Sequence, residues 1–297
     1  MTRKSFALLL LMAAAAGAAP EKPMPPVTLN HVYRVLDKDT FTAVDHSEFL
    51  RTEFAQFERR TTKSGDDSWT GLYFYGENTY FEFLAADPAR QRPVGQSGVA
   101  LSVEQPDGSA AVRKALEALG VGKVHSLERP REAAGKPVPW FRMTGFEPSD
   151  PILVSWVMEY SPRFLKDWHP ELRPELSGIS RKSVLERYQA KAALTAPVKD
   201  PLFKDVTAVR LALPAAQGAA FGRELSALGF RREPREAGIS WAGPAVRIDV
   251  VPAAEGALGI VALDMSLTRK PEEPRTLELG RGARLQIRTD GTASFGF

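Results

Sequence analysis

Cysteine is absent from the 297-residue chain, so no disulfide can form, no thiol can carry a lipid, and the fold must rest on its hydrophobic core. Charge of one sign is lacking as well. Thirty-nine Lys and Arg stand against 36 Asp and Glu, a formal net charge of +3, and the basic residues are dispersed among acidic ones. No clustered stripe and no aromatic interleaving of Lys and Arg suggests phosphate tracking, which argues against nucleic acid as a partner. The apolar run from Phe6 to Ala16 is shorter than the ~20 residues a membrane-spanning helix needs. Histidine is scarce, with four in the whole chain, so each is worth placing.

What is present is ordinary globular composition, 43% hydrophobic and 25% charged, enough for one large core or two modest ones. Arg3 and Lys4, the apolar run and the small residues Ala16-Gly17-Ala18 read together as a secretory signal over residues 1–18. Removing it takes two positive charges away and leaves about +1 (3 − 2) on a chain starting at Ala19. Residues 19–26 read as an extended, proline-marked linker, and the expected location is periplasmic or secreted.

The stretch Leu29 to Asp37, LNHVYRVLD, alternates as a strand with one covered face, and His31 is its chemically capable residue. Helical spacing follows from Lys38 to Phe57, with Phe41, Val44, Leu50, Phe54 and Phe57 as its apolar face and His46 on its rim. After a polar break at Thr61 to Ser68, Trp69 to Tyr75 and Asn78 to Ala85 read as strands. In the last of them Glu82 interrupts an apolar run, either as a metal ligand or on the open face of a curved sheet. The order is a βαβββ unit.

The pattern starts again at GVALSVEQP, Gly98 to Pro106, followed by a helix from Ala110 to Leu119 and strands at Pro139 to Phe146 and Ile152 to Tyr160. His125 lies in a connection between helix and strand. Glu159 ends the last strand as Glu82 ends its own. A third copy begins at Val206, and Leu225-Ser226-Ala227-Leu228-Gly229 matches Leu116-Glu117-Ala118-Leu119-Gly120 in four of five places. There Asp249 takes the place of Glu82 and Ala208 that of His31. Leu258 to Thr268 opens a fourth unit whose helix never comes, and short strands around Arg284 to Thr289 and Ala293 to Phe297 close the chain.

With LNHVYRVLD, TYFEFL, GVALSVEQ, the helix-closing Leu-Gly pairs and ILVSWVMEY in place, the chain resembles the vicinal oxygen chelate superfamily of glyoxalases, bleomycin-resistance proteins and extradiol dioxygenases. The resemblance is best over Leu29 to Tyr160 and weaker over Val206 to Thr268. It implies an α+β fold in which βαβββ units pair into curved-sheet cups: one paired domain over 27–162, a loop and helix connector over 163–205, and a third unit with degenerate C-terminal strands over 206–297. It also implies a divalent metal (Zn, Ni, Fe or Mn) held by His31, Glu82 and Glu159, with Gly98 where a fourth ligand, a histidine, normally stands. Glu159 would then be the base in a lyase or isomerase reaction on a small substrate with two adjacent oxygens.

Two other functions stay open. Members of the superfamily bind small molecules without an ion, and a lining of Tyr33, Tyr73, Tyr75, Tyr80, Phe81 and Trp156 would suit a flat or apolar ligand. A non-catalytic structural or partner-binding role is the third. In the connector, His169 between Trp168 and Pro170 is placed to fold over the cup and replace the ligand missing at Gly98, or simply to pack beside Trp168.

Overall fold

Sixteen strands among the described residues, many with period-two alternation of apolar residues, build two sheets. The computed structural model describes residues 23–64, 67–87, 89, 92–133, 135–147, 152–172, 179–235, 238–254 and 257–297. The expected signal and the first half of the linker, residues 19–22, lie outside them. Among the described residues no helix is long and apolar enough to cross a membrane.

The first unit comprises β1 (Thr28–Leu36), α1 (Lys38–Asp45), a π-helical turn (Leu50–Phe54), β2 (Gln56–Ser64), β3 (Asp67–Tyr75) and β4 (Tyr80–Ala85). The second has β5 (Ser97–Ser102), α2 (Gly108–Glu117), β6 (Val124–Ala133), β7 (Lys136–Phe146) and β8 (Leu153–Tyr160). They join edge to edge as one eight-stranded sheet, β2-β3-β4-β1-β5-β8-β7-β6, which curls until its two edge strands touch. The connector supplies α3 (Phe164–Asp167) and α4 (Arg181–Ala193). The third unit, β9 (Phe203–Leu213), α5 (Ala215–Ala227), β10 (Arg231–Arg235), β11 (Gly238–Gly243) and β12 (Val246–Pro252), joins β13 (Gly259–Leu267), β14 (Arg275–Leu279), β15 (Ala283–Ile287) and β16 (Thr292–Gly296). Their sheet repeats the first order, β10-β11-β12-β9-β13-β16-β15-β14. The α+β architecture of paired curved sheets that the resemblance implies is present.

One local expectation needs correction. The helix expected to run to Phe57 is capped at its start by Asp37, which accepts from the N–H groups of Asp39 and Thr40, and stops at Asp45, where His46 leaves the helical conformation. Gln56 onward then forms an edge strand, so Arg59 and Arg60 stand on a strand and not on a helix. The fourth unit's missing helix also changes its strand direction. In the other units the helix returns the chain to its starting end, so first and last strands pair in parallel. Without that return, β13 and β16 pair antiparallel.

The sheet face that a fourth helix would cover is filled by the other sheet. Phe295 packs on Phe83 at 5.2 Å between ring centroids, and Phe297 on Phe83 at 5.5 Å. One continuous core, including Val32, Phe81, Phe83, Val209, Leu225 and Phe295, joins the helix-bearing faces of both sheets. Polar contacts fix their relation. Asp205 accepts hydrogen bonds from the backbone N–H groups of Asn78 and Thr79 at 2.7 and 2.8 Å, and Arg34 donates to the carbonyls of Leu258 and Ile260.

Within this junction Glu224 on α5 accepts a 2.6 Å bond from the Ser155 hydroxyl, while its Oε1 is buried with no partner among the described residues. Burial pushes its carboxyl up to about 7, so the folded protein binds a proton there that the unfolded chain has released. Stability from this group is fully present below about pH 4.5, its ordinary value, and is lost as pH rises through about 7. Thermal unfolding of wild type and Glu224→Gln from pH 4 to 8.5 should show the wild-type Tm falling relative to the variant across that window. A Tm difference that does not vary with pH would refute this assignment.

Candidate ligand cup

Side chains on a strand alternate between faces, and that parity decides which residues meet. On β1, His31 and Tyr33 face the concave side while Val32 enters the core. On β4, Tyr80, Glu82 and Leu84 face the cup while Phe81 and Phe83 enter the core. On β8, Val154, Trp156 and Met158 face the cup and Val157 the core. These concave residues, joined by Arg60, Trp69, Tyr73, Arg92, Gln96, Arg129, Trp140, Phe141 and Met143, line a cavity of about 320 Å³.

His31 and Glu82 converge. Their Nε2 and Oε1 atoms are 3.7 Å apart, and both side chains are almost wholly buried. His31 stacks on Tyr80 at 4.3 Å and meets Trp156 edge-on at 5.5 Å. Asn30 donates its amide N–H to Tyr160 Oη, which turns its Oδ1 toward His31 Nδ1 at 2.9 Å. That contact puts the imidazole proton on Nδ1 and leaves Nε2 as an acceptor facing Glu82. Burial lowers the His31 pKa to about 3 and pushes Glu82 up to about 7 against the pull of Arg60. The pair is therefore neutral over the mildly acidic range: a lone pair on Nε2 beside a carboxylic acid. Glu82 Oε2 and Trp156 Nε1 are both buried with no partner among the described residues.

Glu159 does not join them. One residue beyond Met158, it faces the other side of the sheet, where its carboxylate accepts from the backbone N–H groups of Asp107 and Ser109, each at 2.8 Å. It caps the start of α2, where free N–H groups and the helix dipole favour an anion, and so it cannot act as base or ligand in the cup. The strand register names the residue in its place. Tyr33 lies opposite Glu82; in the second unit, Gly98 lies opposite Val154 and Ala100 opposite Trp156. With Gly98 as the counterpart of His31, Trp156 holds the position of Glu82.

Gly98 itself is roofed over. A Cβ built there would lie 2.0 Å from Tyr33 Cε1, so the phenol ring occupies the space a fourth ligand would need. The divalent metal implied by the resemblance does not fit this donor set: of its four ligand positions two hold His31 and Glu82, one is covered by Tyr33 and one is an indole. Among the described residues no group of three or more His, Asp or Glu side chains is arranged to hold an ion.

Tyr33, Tyr73, Tyr80 and Trp156 line the cavity as expected, but Tyr75, Phe81 and His169 do not. Phe81 has core parity and stacks on Phe74 at 4.8 Å. Tyr75 donates to Glu58 at 2.6 Å in a buried cluster where Arg60 and Lys191 also bind that carboxylate, at 2.8 Å each. Burial opposes ionisation of Glu58, but these partners outweigh it and hold its carboxyl below the usual range. His169 is partly exposed at positive φ and pairs with Glu171 at 2.9 Å. The connector does fold over the cup, yet it delivers Tyr188, whose Oη accepts from Trp140 Nε1 at 2.7 Å. In the third unit Asp249 keeps the Glu82 register and Ala208 that of His31. There Arg247 pairs with the acid at 3.0 Å and the Ser240 hydroxyl donates to it.

Arg60, Arg129 and Trp140 went unread as site residues. Two of them sit on edge strands whose charge hides the pattern, although the even-numbered alternation around Glu82 and Trp156 points to Leu84 and Met158.

A family model described as a family of unknown function, DUF5829, matches residues 29–297. The chain belongs to this family. No curated protein matches it. Among solved structures, a hypothetical protein from Staphylococcus aureus aligns with the DUF5829 chain at TM-score 0.50 and 9% identity, covering 85% of this chain and 95% of that one. The 2,3-dioxygenase LapB from Pseudomonas sp. KL28 aligns at 0.48 and 12%, covering 93% and 94%. The Mn(II)-bound glyoxalase from Novosphingobium aromaticivorans aligns at 0.45 and 14%, covering 92% and 80%. At such identities the likeness concerns the fold alone.

Because the Tyr33 ring fills the space over Gly98, Gly98→Ala should destabilise the protein by about 1–3 kcal/mol through overpacking. Combined with Tyr33→Ala it should cost less than the sum of the two single changes. A double-mutant cycle from denaturant unfolding measures this, and strict additivity would show that the ring yields freely.

Proposed function

We propose that this protein is a metal-independent small-molecule binder whose first cup takes a flat aromatic ligand carrying a hydroxyl or carbonyl group. One observation carries the reading: the Tyr33 ring lies where a Cβ on Gly98 would go, which turns a ligand position for an ion into a wall of the pocket. The cavity falls within the usual range for small organic ligands, roughly 300–1,000 Å³, and its aromatic walls favour a planar guest. At its floor the 3.7 Å gap between Nε2 and Oε1 is too long for a direct hydrogen bond but suits a bridging ligand hydroxyl. Such a hydroxyl would donate to His31 Nε2 and accept from Glu82 in its acid form. The same neutral pair could relay a proton across a bound hydroxyl, but the arrangement supports binding before catalysis.

In this reading residues 27–162, closed by the connector at 163–205, form the binding module. Residues 206–297 serve as its scaffold, since their own cup has its acid tied up in an ion pair with Arg247. The proposal includes function outside the cytoplasm, supported by the leader-like residues 1–18 and the absence of cysteine.

The test is calorimetric titration of metal-stripped protein with Mn²⁺ and Zn²⁺, beside a thermal-shift and tryptophan-fluorescence screen of bicyclic aromatics. The expected outcome is no stoichiometric ion uptake that depends on His31, and an aromatic that raises Tm and quenches Trp69, Trp140 or Trp156. An aromatic present at 100 times its Kd stabilises by about 2.7 kcal/mol. One ion per chain, lost in His31→Ala, would overturn the reading.

A further inference from the structure

The cup gathers charged groups from distant parts of the chain. Its lining includes three arginines, Arg60, Arg92 and Arg129, and one carboxylate, Glu82. They come from separate places: Arg60 from edge strand β2, Arg129 from the opposite edge strand β6, and Arg92 from the loop between β4 and β5. The curl of the sheet brings both edges to one cavity. Arg60 is committed to Glu58 at 2.8 Å and lies 4.0 Å from the Tyr73 ring centroid. Arg129 has no carboxylate partner among the described residues. Behind the wall Arg131, 6% exposed, is caged by the rings of Trp168 at 4.1 Å and of Trp140 and Tyr188 at 4.9 Å. Its Nη1 has no partner among the described residues.

The Arg129 guanidinium, in an aromatic-walled space whose one acid burial holds toward its neutral form, is a positive charge that a neutral guest would leave uncompensated. Guanidinium is also the side chain best shaped to hold a carboxylate through paired N–H groups. We infer that the ligand of this cup is an aromatic anion, a planar ring system bearing a carboxylate or comparable group that engages Arg129 while the ring lies against Trp156 and Tyr80. This rests on the ligand-binding reading above and adds the sign of the ligand's charge.

An isosteric series separates the two claims: naphthalene-2-carboxylate, naphthalene-2-carboxamide and 2-naphthylmethylammonium, titrated into the full chain by calorimetry at low and at physiological salt. The carboxylate should bind about tenfold or more tighter than the carboxamide, with the margin shrinking as salt rises, and the ammonium should not bind. Arg129→Gln should bring the carboxylate-to-carboxamide ratio close to one, and Arg129→Lys should restore part of it. Equal or better binding of the amide or the ammonium overturns the charge inference and leaves the aromatic cup standing. An unchanged ratio in Arg129→Gln overturns the role of that residue. Failure of all three compounds to bind overturns both.

Discussion

Where the phenol ring of Tyr33 rests decides what this cup can do. Tyr33 and Gly98 are direct neighbours across β1 and β5, the central strand pair where the two units meet. A glycine there has no side chain to hold the ring away, so the ring closes on the backbone. The consequence spreads to both sides: His31 and Glu82 stand at two of the ligand positions the resemblance implies, while their counterparts are a covered glycine and an indole. Two buried polar groups are then left facing each other, and burial moves both toward their neutral forms. A buried ion pair would have to offset a desolvation penalty of several kcal/mol per charge. The neutral pair avoids that penalty and keeps one acceptor and one donor for a guest.

The connector completes the enclosure. Ser180 caps α4 through the Ser183 N–H, and the helix lays Tyr188 against Tyr75, Phe164 and Trp168. Arg187, 1% exposed, donates to the carbonyls of Leu165 and Trp168 at 2.8 and 2.9 Å, which stitches α4 to the α3 turn. A second core, separate from the one between the sheets, thus fills one end of the cup and leaves the His31 end hollow. The hollow is a remainder of packing, bounded by rings with well-defined rotamers, and its shape is preorganised for a rigid ligand.

The central strands of both sheets were legible because they are buried on one or both faces and read as apolar runs or alternations. The strands that went unread, β6, β10 and β14, and β2, which was read as a helix end followed by a polar break, share one property: each is the edge of its sheet. Edge strands carry charge and proline that discourage pairing with other molecules, and VHSLERPREA and RREPR do so here. The features that protect them erase the period-two signal. Those strands carry Arg60 and Arg129, so the cationic part of the site was hidden with them.

Half of the polar site was legible for a related reason. His31 and Glu82 stand out as single polar residues in apolar central strands, whereas Glu159 looked equivalent only because parity cannot be read at a strand end. A shift of one residue moved it from the cup to the cap of α2. Register, and not residue type, separates Glu159 from Trp156, and register is fixed by pairing between strands far apart in sequence. The third unit shows the same rule from the other side: Asp249 and Ala208 fall in the registers of Glu82 and His31 because both lie well inside their strands.

The state of the His31 ring is the most direct report on the central claim, that Tyr33 closes the Gly98 position and leaves His31 and Glu82 as a neutral pair. Long-range ¹H–¹⁵N correlation spectra of the four histidines, with the His31 signals assigned by its replacement, read the tautomer, the charge and any bound ion at once. The account predicts an Nδ1–H tautomer that stays neutral from pH 8 down to about 4, consistent with a pKa near 3, and does not respond to one equivalent of Zn²⁺. A ring that titrates near its ordinary value of 6.5, or an Nε2 signal that moves stoichiometrically with Zn²⁺, would contradict it.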